Sequence, residues 1–243
     1  MKYLGVLIDN KRNCFTSQKE KTFNNALKFR NQLYSVLGKC CNRLLIGKTY
    51  WKGLIIPNLL YGNDIIEFNK TDLDKLQKHD NAAYRIMLQL PIYTAVCFLR
   101  GEVGASSVFS RDMISKLSFL KHAKTSTNNI LRKIIDKELE IPRMKWTKQV
   151  IKYMETLNVD IDLIISMDKD ELKEKINEFD TAKWRDEMEE KSTLVFYRRK
   201  KRLIREEKWF KNGHGFTTMM KARSNTLQLI LREREDGNKI CFI

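Results

Sequence analysis

The chain has 243 residues, 42% of them hydrophobic and 10% aromatic, enough apolar material for a packed core and against general disorder. Only 3 Pro and 10 Gly over this length argue against a many-turned β fold and for long helices. A formal charge of +16 points to a polyanionic partner, nucleic acid first and an anionic membrane surface second. A basic protein with no specific anion partner is the plain alternative.

The charge is uneven. Residues 1–60 carry 11 Lys/Arg against 2 Asp/Glu, residues 168–190 carry 5 against 10, and residues 191–211 carry 9 against 2. Two basic blocks flanking an acidic one imply localised contact with any polyanion. The five cysteines, Cys14, Cys40, Cys41, Cys97 and Cys241, form no complete Cys-x-x-Cys pair and no framework spacing. They fit a reducing compartment and an intracellular protein, nuclear or cytoplasmic. Asp9 ends the first apolar run too soon for a signal peptide, and no apolar stretch approaches the ~18 residues of a membrane span.

Residues 3–8 (Tyr-Leu-Gly-Val-Leu-Ile) read as a strand, Asp9–Asn10 as a turn, and Cys14–Phe15 as the start of a returning strand. A helix is expected from about Thr22 to Gly38, with Phe23, Ala26, Leu27, Arg30, Leu33, Tyr34 and Leu37 on one face. A second spans about Lys48 to Leu60, kinked at Pro57. A third runs from Asp72 to Leu90, with Thr71 and Asp74 as a capping box and Pro91 as the stop.

Residues 94–100 fit a short helix closed by the Gly101–Gly104 region. Further helices are expected over Ser107–His122 and over 128–140, the latter through Ile130, Ile134 and Ile135. Pro142 marks the best boundary. Beyond it come a helix with Val150, Ile151, Met154 and Leu157, one capped by Asp168 or Asp170, and a helical basic block. A turn follows around Gly213–Gly215, then a last helix from Met219 through Leu227 to Ile230. The chain is therefore expected to be mainly α. Residues 1–15 form a small hairpin, 16–140 a helical bundle and 141–243 a second helical segment.

No catalytic constellation emerges. Two-metal polymerase chemistry needs clustered carboxylates, and the nearest candidate, Asp160-x-Asp162, reads better as an exposed turn or strand edge. His79, His122 and His214 stand far apart with no Cys at zinc spacing. There is no nucleophile elbow, Walker loop or dinucleotide fingerprint.

The sharper signal is Arg198, Arg199, Lys200, Lys201 and Arg202, followed by Arg205 and interleaved with Phe196, Tyr197, Leu203, Ile204, Trp209 and Phe210. Cations neutralise phosphates and aromatics stack on unpaired bases. A solvated helix face with Trp209 in the core, a nuclear localisation signal and an acidic protein partner are the competing readings. Lys39, Arg43, Lys48 and Lys52 offer a second candidate contact face.

Four segments then appear in a telling order: Lys2-Tyr-Leu-Gly-Val6, Trp51-Lys-Gly-Leu-Ile-Ile-Pro-Asn-Leu-Leu-Tyr-Gly62, Leu73-Asp-Lys-Leu-Gln-Lys-His79 ending in Leu90-Pro91, and Leu99-Arg-Gly-Glu-Val-Gly104. Together they resemble the primer-grip strand and the thumb of LINE-type (non-LTR) retrotransposon reverse transcriptases. Trp209-Phe-Lys-Asn-Gly213 and Ala222-Arg-Ser-Asn-Thr-Leu227 are similar to the post-thumb region. The family's zinc knuckle would follow, but Cys241 stands without its second Cys, so no zinc site carries over.

In that family the aromatic-x-Asp-Asp palm motif lies upstream of the Tyr-Leu-Gly strand with which this sequence opens. The resemblance therefore implies a thumb-like bundle and a role in holding RNA, DNA or RNA–DNA duplex. It implies no enzyme activity in this chain alone and no cofactor of its own; magnesium belongs to the full-length family. A co-opted nucleic-acid-binding or protein-interaction module and a decayed structural remnant are the alternatives.

Overall fold

The computed structural model describes residues 1–10, 14–38, 40, 42–205, 216–225, 230–233 and 239–242. Most of the described chain is helical, with two short antiparallel hairpins, in agreement with the mainly α expectation and the N-terminal hairpin.

That hairpin is tighter than the sequence suggested. β1 (Lys2–Tyr3) pairs with β2 (Val6–Leu7), and the turn is Leu4–Gly5 rather than Asp9–Asn10. Leu4 (φ 43°) and Gly5 (φ 85°) are both left-handed, the combination a two-residue hairpin turn needs. A strand running straight through residue 5 would waste the one residue suited to the turn. Asp9 instead reaches forward and accepts hydrogen bonds from the Ser17 amide at 2.8 Å and its hydroxyl at 2.6 Å, tethering the start of α1.

α1 (Thr16–Leu37) buries Thr22, Ala26, Leu33 and Leu37, a narrower stripe than expected. Leu27 and Tyr34 of the predicted face stay exposed, because the helix packs chiefly on α4 (Lys70–Leu88) and α2 (Arg43–Tyr50). After α2 the chain widens into a π-helical turn over Trp51–Ile55 and re-enters α3 (Ile56–Leu59) with Pro57 in its first turn. The disturbance is placed by Pro57, which donates no amide hydrogen and crowds the carbonyl four residues back.

The cap of α4 is Asn69, not Thr71. Asn69 Oδ1 accepts the Asp72 amide at 2.8 Å, and the Asp72 carboxylate in turn accepts the Asn69 amide at 3.2 Å. Asn is the stronger N-cap, and starting two residues earlier frees Asp72 to bind Lys19 at 2.8 Å. The helix stops at Gln89, left-handed at φ 55°, two residues before Pro91.

α5 (Val96–Val103) ends on left-handed Gly104. α6 (Val108–Thr125) is capped by Ser107. α7 (Asn129–Glu140) buries Ile135 but leaves Ile130 and Ile134 exposed. α8 (Lys145–Leu157) and α9 (Ile161–Ser166) follow. α10 (Lys169–Glu189) begins with the Asp168/Glu171 capping box. A 3₁₀ turn (Ser192–Leu194) leads into α11 (Val195–Lys200).

α12 (Phe216–Arg223) ends before Leu227, so the expected continuation to Ile230 fails; Ile230 opens β3 (Ile230–Glu233), paired with β4 (Lys239–Phe242). Asn225 is left-handed at φ 55°, which breaks the helical path. The expected turn at 213–215 lies outside the described residues.

The interior forms two buried clusters. One gathers Val6, Ala26, Leu33, Trp51, Leu76, Phe98 and their neighbours with Trp184, Met188, Leu194, Tyr197 and Met220. The other gathers Met113, Leu117, Leu120, Val150, Tyr153, Leu172 and Ile176. α10 joins them: its first half fills the second cluster and its last turns fill the first. The hairpin is seated by Gly62 (φ 76°), where a Cβ would lie 3.1 Å from Val6 Cγ2 and 3.3 Å from Ile66 Cδ1. Gly62→Ala is expected to lose about 1–2 kcal/mol of stability by urea denaturation, since it adds left-handed strain to that contact.

Candidate nucleic-acid interface

The two basic blocks fold onto different supports. In the first, Arg43 and Lys48 stand on α2, which packs on α1 and α4. Arg43 is half-buried and donates from Nη2 to the Ile86 carbonyl at 3.3 Å. Lys48 is buried at 7% exposure; helical spacing from Leu44 turns it toward the core. Lys52 is exposed on the π-helical turn. Lys39 lies outside the described residues. The four therefore do not form one solvated face; Lys52 is the exposed cation among the described three.

The second block is better presented. Leu194 and Tyr197 anchor α11: both are buried, and the Tyr197 ring lies 4.7 Å from Phe98, centroid to centroid. Around that anchor Arg199, Lys200, Arg202 and Arg205 are exposed. Phe196 is 81% exposed, with the Arg199 guanidinium 5.8 Å from its ring centroid. An open aromatic beside a cation suits stacking and phosphate contact together.

Two members point elsewhere. Arg198 is half-buried and donates to the Glu189 carbonyl at 3.0 Å. Lys201 is buried and donates to the Arg205 carbonyl at 2.5 Å, closing the turn after α11. The Arg202 carbonyl receives Arg185 Nε and Nη2 at 3.1 and 3.0 Å, which ties the segment back to α10. Trp209 and Phe210 lie outside the described residues.

Asp160 and Asp162 stand at the start of a helix rather than on a strand edge. Asp160 caps α9, its Oδ1 accepting the Leu163 amide at 2.7 Å, and Asp162 sits in the first turn. Among the described residues no group of three His, Cys, Asp or Glu is placed to hold a metal ion. Burial and Arg30 hold the His79 imidazole below its ordinary pKa, and His122 is exposed. Among the described residues no helix is long and apolar enough to cross a membrane.

Structure also assembles cations that the linear sequence scatters. A cleft of about 480 Å³ opens between α4, α5, the start of α6, α8 and α10. Lys70, Lys148, Lys152 and Lys183 line it. Lys148 and Lys152 are one turn apart on α8, a signal readable in the sequence. That they line one cleft with Lys70 and Lys183 depends on how the helices pack.

Behind the cleft lies a buried polar network. Lys116 and Asp112, both 0% exposed, are ion-paired, and Lys116 also donates to the Asn63 carbonyl at 3.1 Å. The Tyr153 hydroxyl donates to Asp112 Oδ2 at 2.5 Å, and Gln149 Nε2 donates to the Phe68 carbonyl at 2.7 Å. Burial pushes the Asp112 carboxyl up against the opposing pull of Lys116, and pushes the Lys116 ammonium down.

No protein-family model matches this chain, and no curated protein or solved structure matches it either.

Proposed function

We propose that this chain corresponds to the thumb and post-thumb region of a LINE-type reverse transcriptase and holds nucleic acid, RNA–DNA duplex first, without catalysing synthesis. The observation that carries the reading is how the four motif segments meet. The Leu4 carbonyl at the hairpin tip accepts the Tyr61 hydroxyl, and Gly5 and Gly62 bracket that contact. Trp51, Leu59, Leu73, Leu76, Leu90, Leu99 and Val103, drawn from the other three segments, share one buried cluster with Val6. Segments whose order suggests a common origin thus also form one folding unit. The exposed set Arg199, Lys200, Arg202 and Arg205 beside Phe196 supplies the cationic and stacking surface that a phosphate backbone requires.

Equilibrium binding of the purified chain to an RNA–DNA duplex tests this. Affinity is expected to fall log-linearly as salt rises. Changing Arg199, Lys200 and Arg202 together to Gln should flatten the slope by about 2–3, at roughly 0.9 per lost phosphate contact. No binding at low salt, with the chain folded, would leave a structural remnant. Binding with an unchanged slope would move the interface away from α11.

A further inference from the structure

The cleft between α4, α5, α6, α8 and α10 has the makings of a small-molecule site. Its volume of about 480 Å³ lies within the usual range for such pockets. Phe68, Leu73, Phe109 and Tyr153 give it an apolar and aromatic floor. None of its four lysines is held in an ion pair among the described residues. Lys183 Nζ lies 5.5 Å from the Phe109 ring centroid, setting a cation beside an aromatic face.

Four carboxylates also line the cleft. Asp180 and Glu187 face Arg100 at 2.7 and 3.9 Å, so Glu67 and Asp74 are left against the four lysines. The rim therefore keeps a positive surplus.

A planar aromatic heterocycle carrying a phosphate toward the lysines would complement floor and rim together.

We infer that this cleft binds a nucleotide, its base over Phe109 and its phosphate on Lys148 and Lys152. The nucleotide is either free or the unpaired end of a strand. The site shares no residue with the α11 surface and stands whether or not that surface binds duplex.

Calorimetric titration of the full chain with dAMP, with deoxyadenosine and with a 5′-phosphorylated five-residue oligo(dA) tests the inference. The phosphate-bearing probes are expected to bind, and deoxyadenosine to bind at least about tenfold more weakly. The exposed pair Lys148→Gln/Lys152→Gln should weaken phosphate-bearing probes about tenfold while the thermal midpoint holds. Arg199→Gln/Lys200→Gln should leave dAMP binding unchanged. Binding of dAMP identifies a free nucleotide as a ligand; binding of the oligonucleotide alone, lost in Lys148→Gln/Lys152→Gln, identifies a strand end. Absence of binding by both phosphate probes overturns the inference. So does binding that survives Lys148→Gln/Lys152→Gln, or oligonucleotide binding lost only in Arg199→Gln/Lys200→Gln.

Discussion

Trp184→Ala is expected to lose about 3–5 kcal/mol of folding stability, read as a fall in the urea midpoint. Trp184 is 0% exposed and lies where α10 enters the first cluster. Its Nε1 donates to the Cys97 carbonyl at 2.6 Å, across 87 residues of sequence. Its ring also fills the space over Gly101, where a Cβ would come within 2.7 Å of Trp184 Cζ2. Truncation opens a cavity at the junction of α5, α10 and α11 and removes the indole bond to the Cys97 carbonyl. Trp184→Phe keeps most of the packing and should cost about 1–2 kcal/mol, chiefly the lost hydrogen bond and the smaller ring. Equal losses for the two variants would show that the hydrogen bond, not the packing, dominates.

Lys116→Met is expected to cost about 3–5 kcal/mol near neutral pH, because it leaves Asp112 buried without its cation. The loss should depend on pH in a definite direction. Burial already raises the Asp112 carboxyl, and Lys116 is the largest influence holding it down. Without Lys116 the carboxyl rises further. A group whose folded pKa lies above its unfolded value binds more protons in the folded state, so stability falls as pH climbs from the unfolded pKa through the folded one. The deficit from the stranded charge is therefore full above the raised value and shrinks on acidification. Urea denaturation of wild type and variant at about pH 8 and about pH 5 should show the gap narrowing at the lower pH. Lys116→Met combined with Asp112→Asn should recover part of the loss at the higher pH. A gap of constant size would assign the cost to the packing of Lys116 rather than to the carboxylate.

These two variants matter for function because both act on the supports of the proposed surfaces. Trp184 steadies the last turns of α10, from which α11 hangs with its exposed Arg199 and Lys200 and the Arg202 that follows it. The Asp112–Lys116 pair holds Tyr153, whose ring helps floor the nucleotide cleft.

The helices themselves were legible from sequence, since apolar periodicity and breakers act locally. Asp168, one of the two acidic residues read as a cap, marked the start of α10, and the Gly101–Gly104 region the end of α5. Errors arose where two local solutions competed: Asn69 over Thr71 as the cap of α4, and Leu4–Gly5 over Asp9–Asn10 as the hairpin turn. In each case a side chain with a free amide in reach, or the residue cheapest in left-handed φ, took the position.

The basic character of the chain and the two charged blocks were likewise set by composition. Which cations face solvent was not. Lys48 and Lys201 belong to blocks that look uniformly exposed, yet both are buried, because a short helix turns part of every run inward. The sequence by itself determined a mainly helical, strongly basic chain, because periodicity and charge are properties of neighbours along it. Only the tertiary structure decided that Trp184 would close on Cys97, that Asp112 and Lys116 would be sealed together beside Asn63, and that Lys70, Lys148, Lys152 and Lys183 would surround one cleft. Those juxtapositions join residues tens of positions apart, and they exist only once burial of apolar faces has chosen which helices touch.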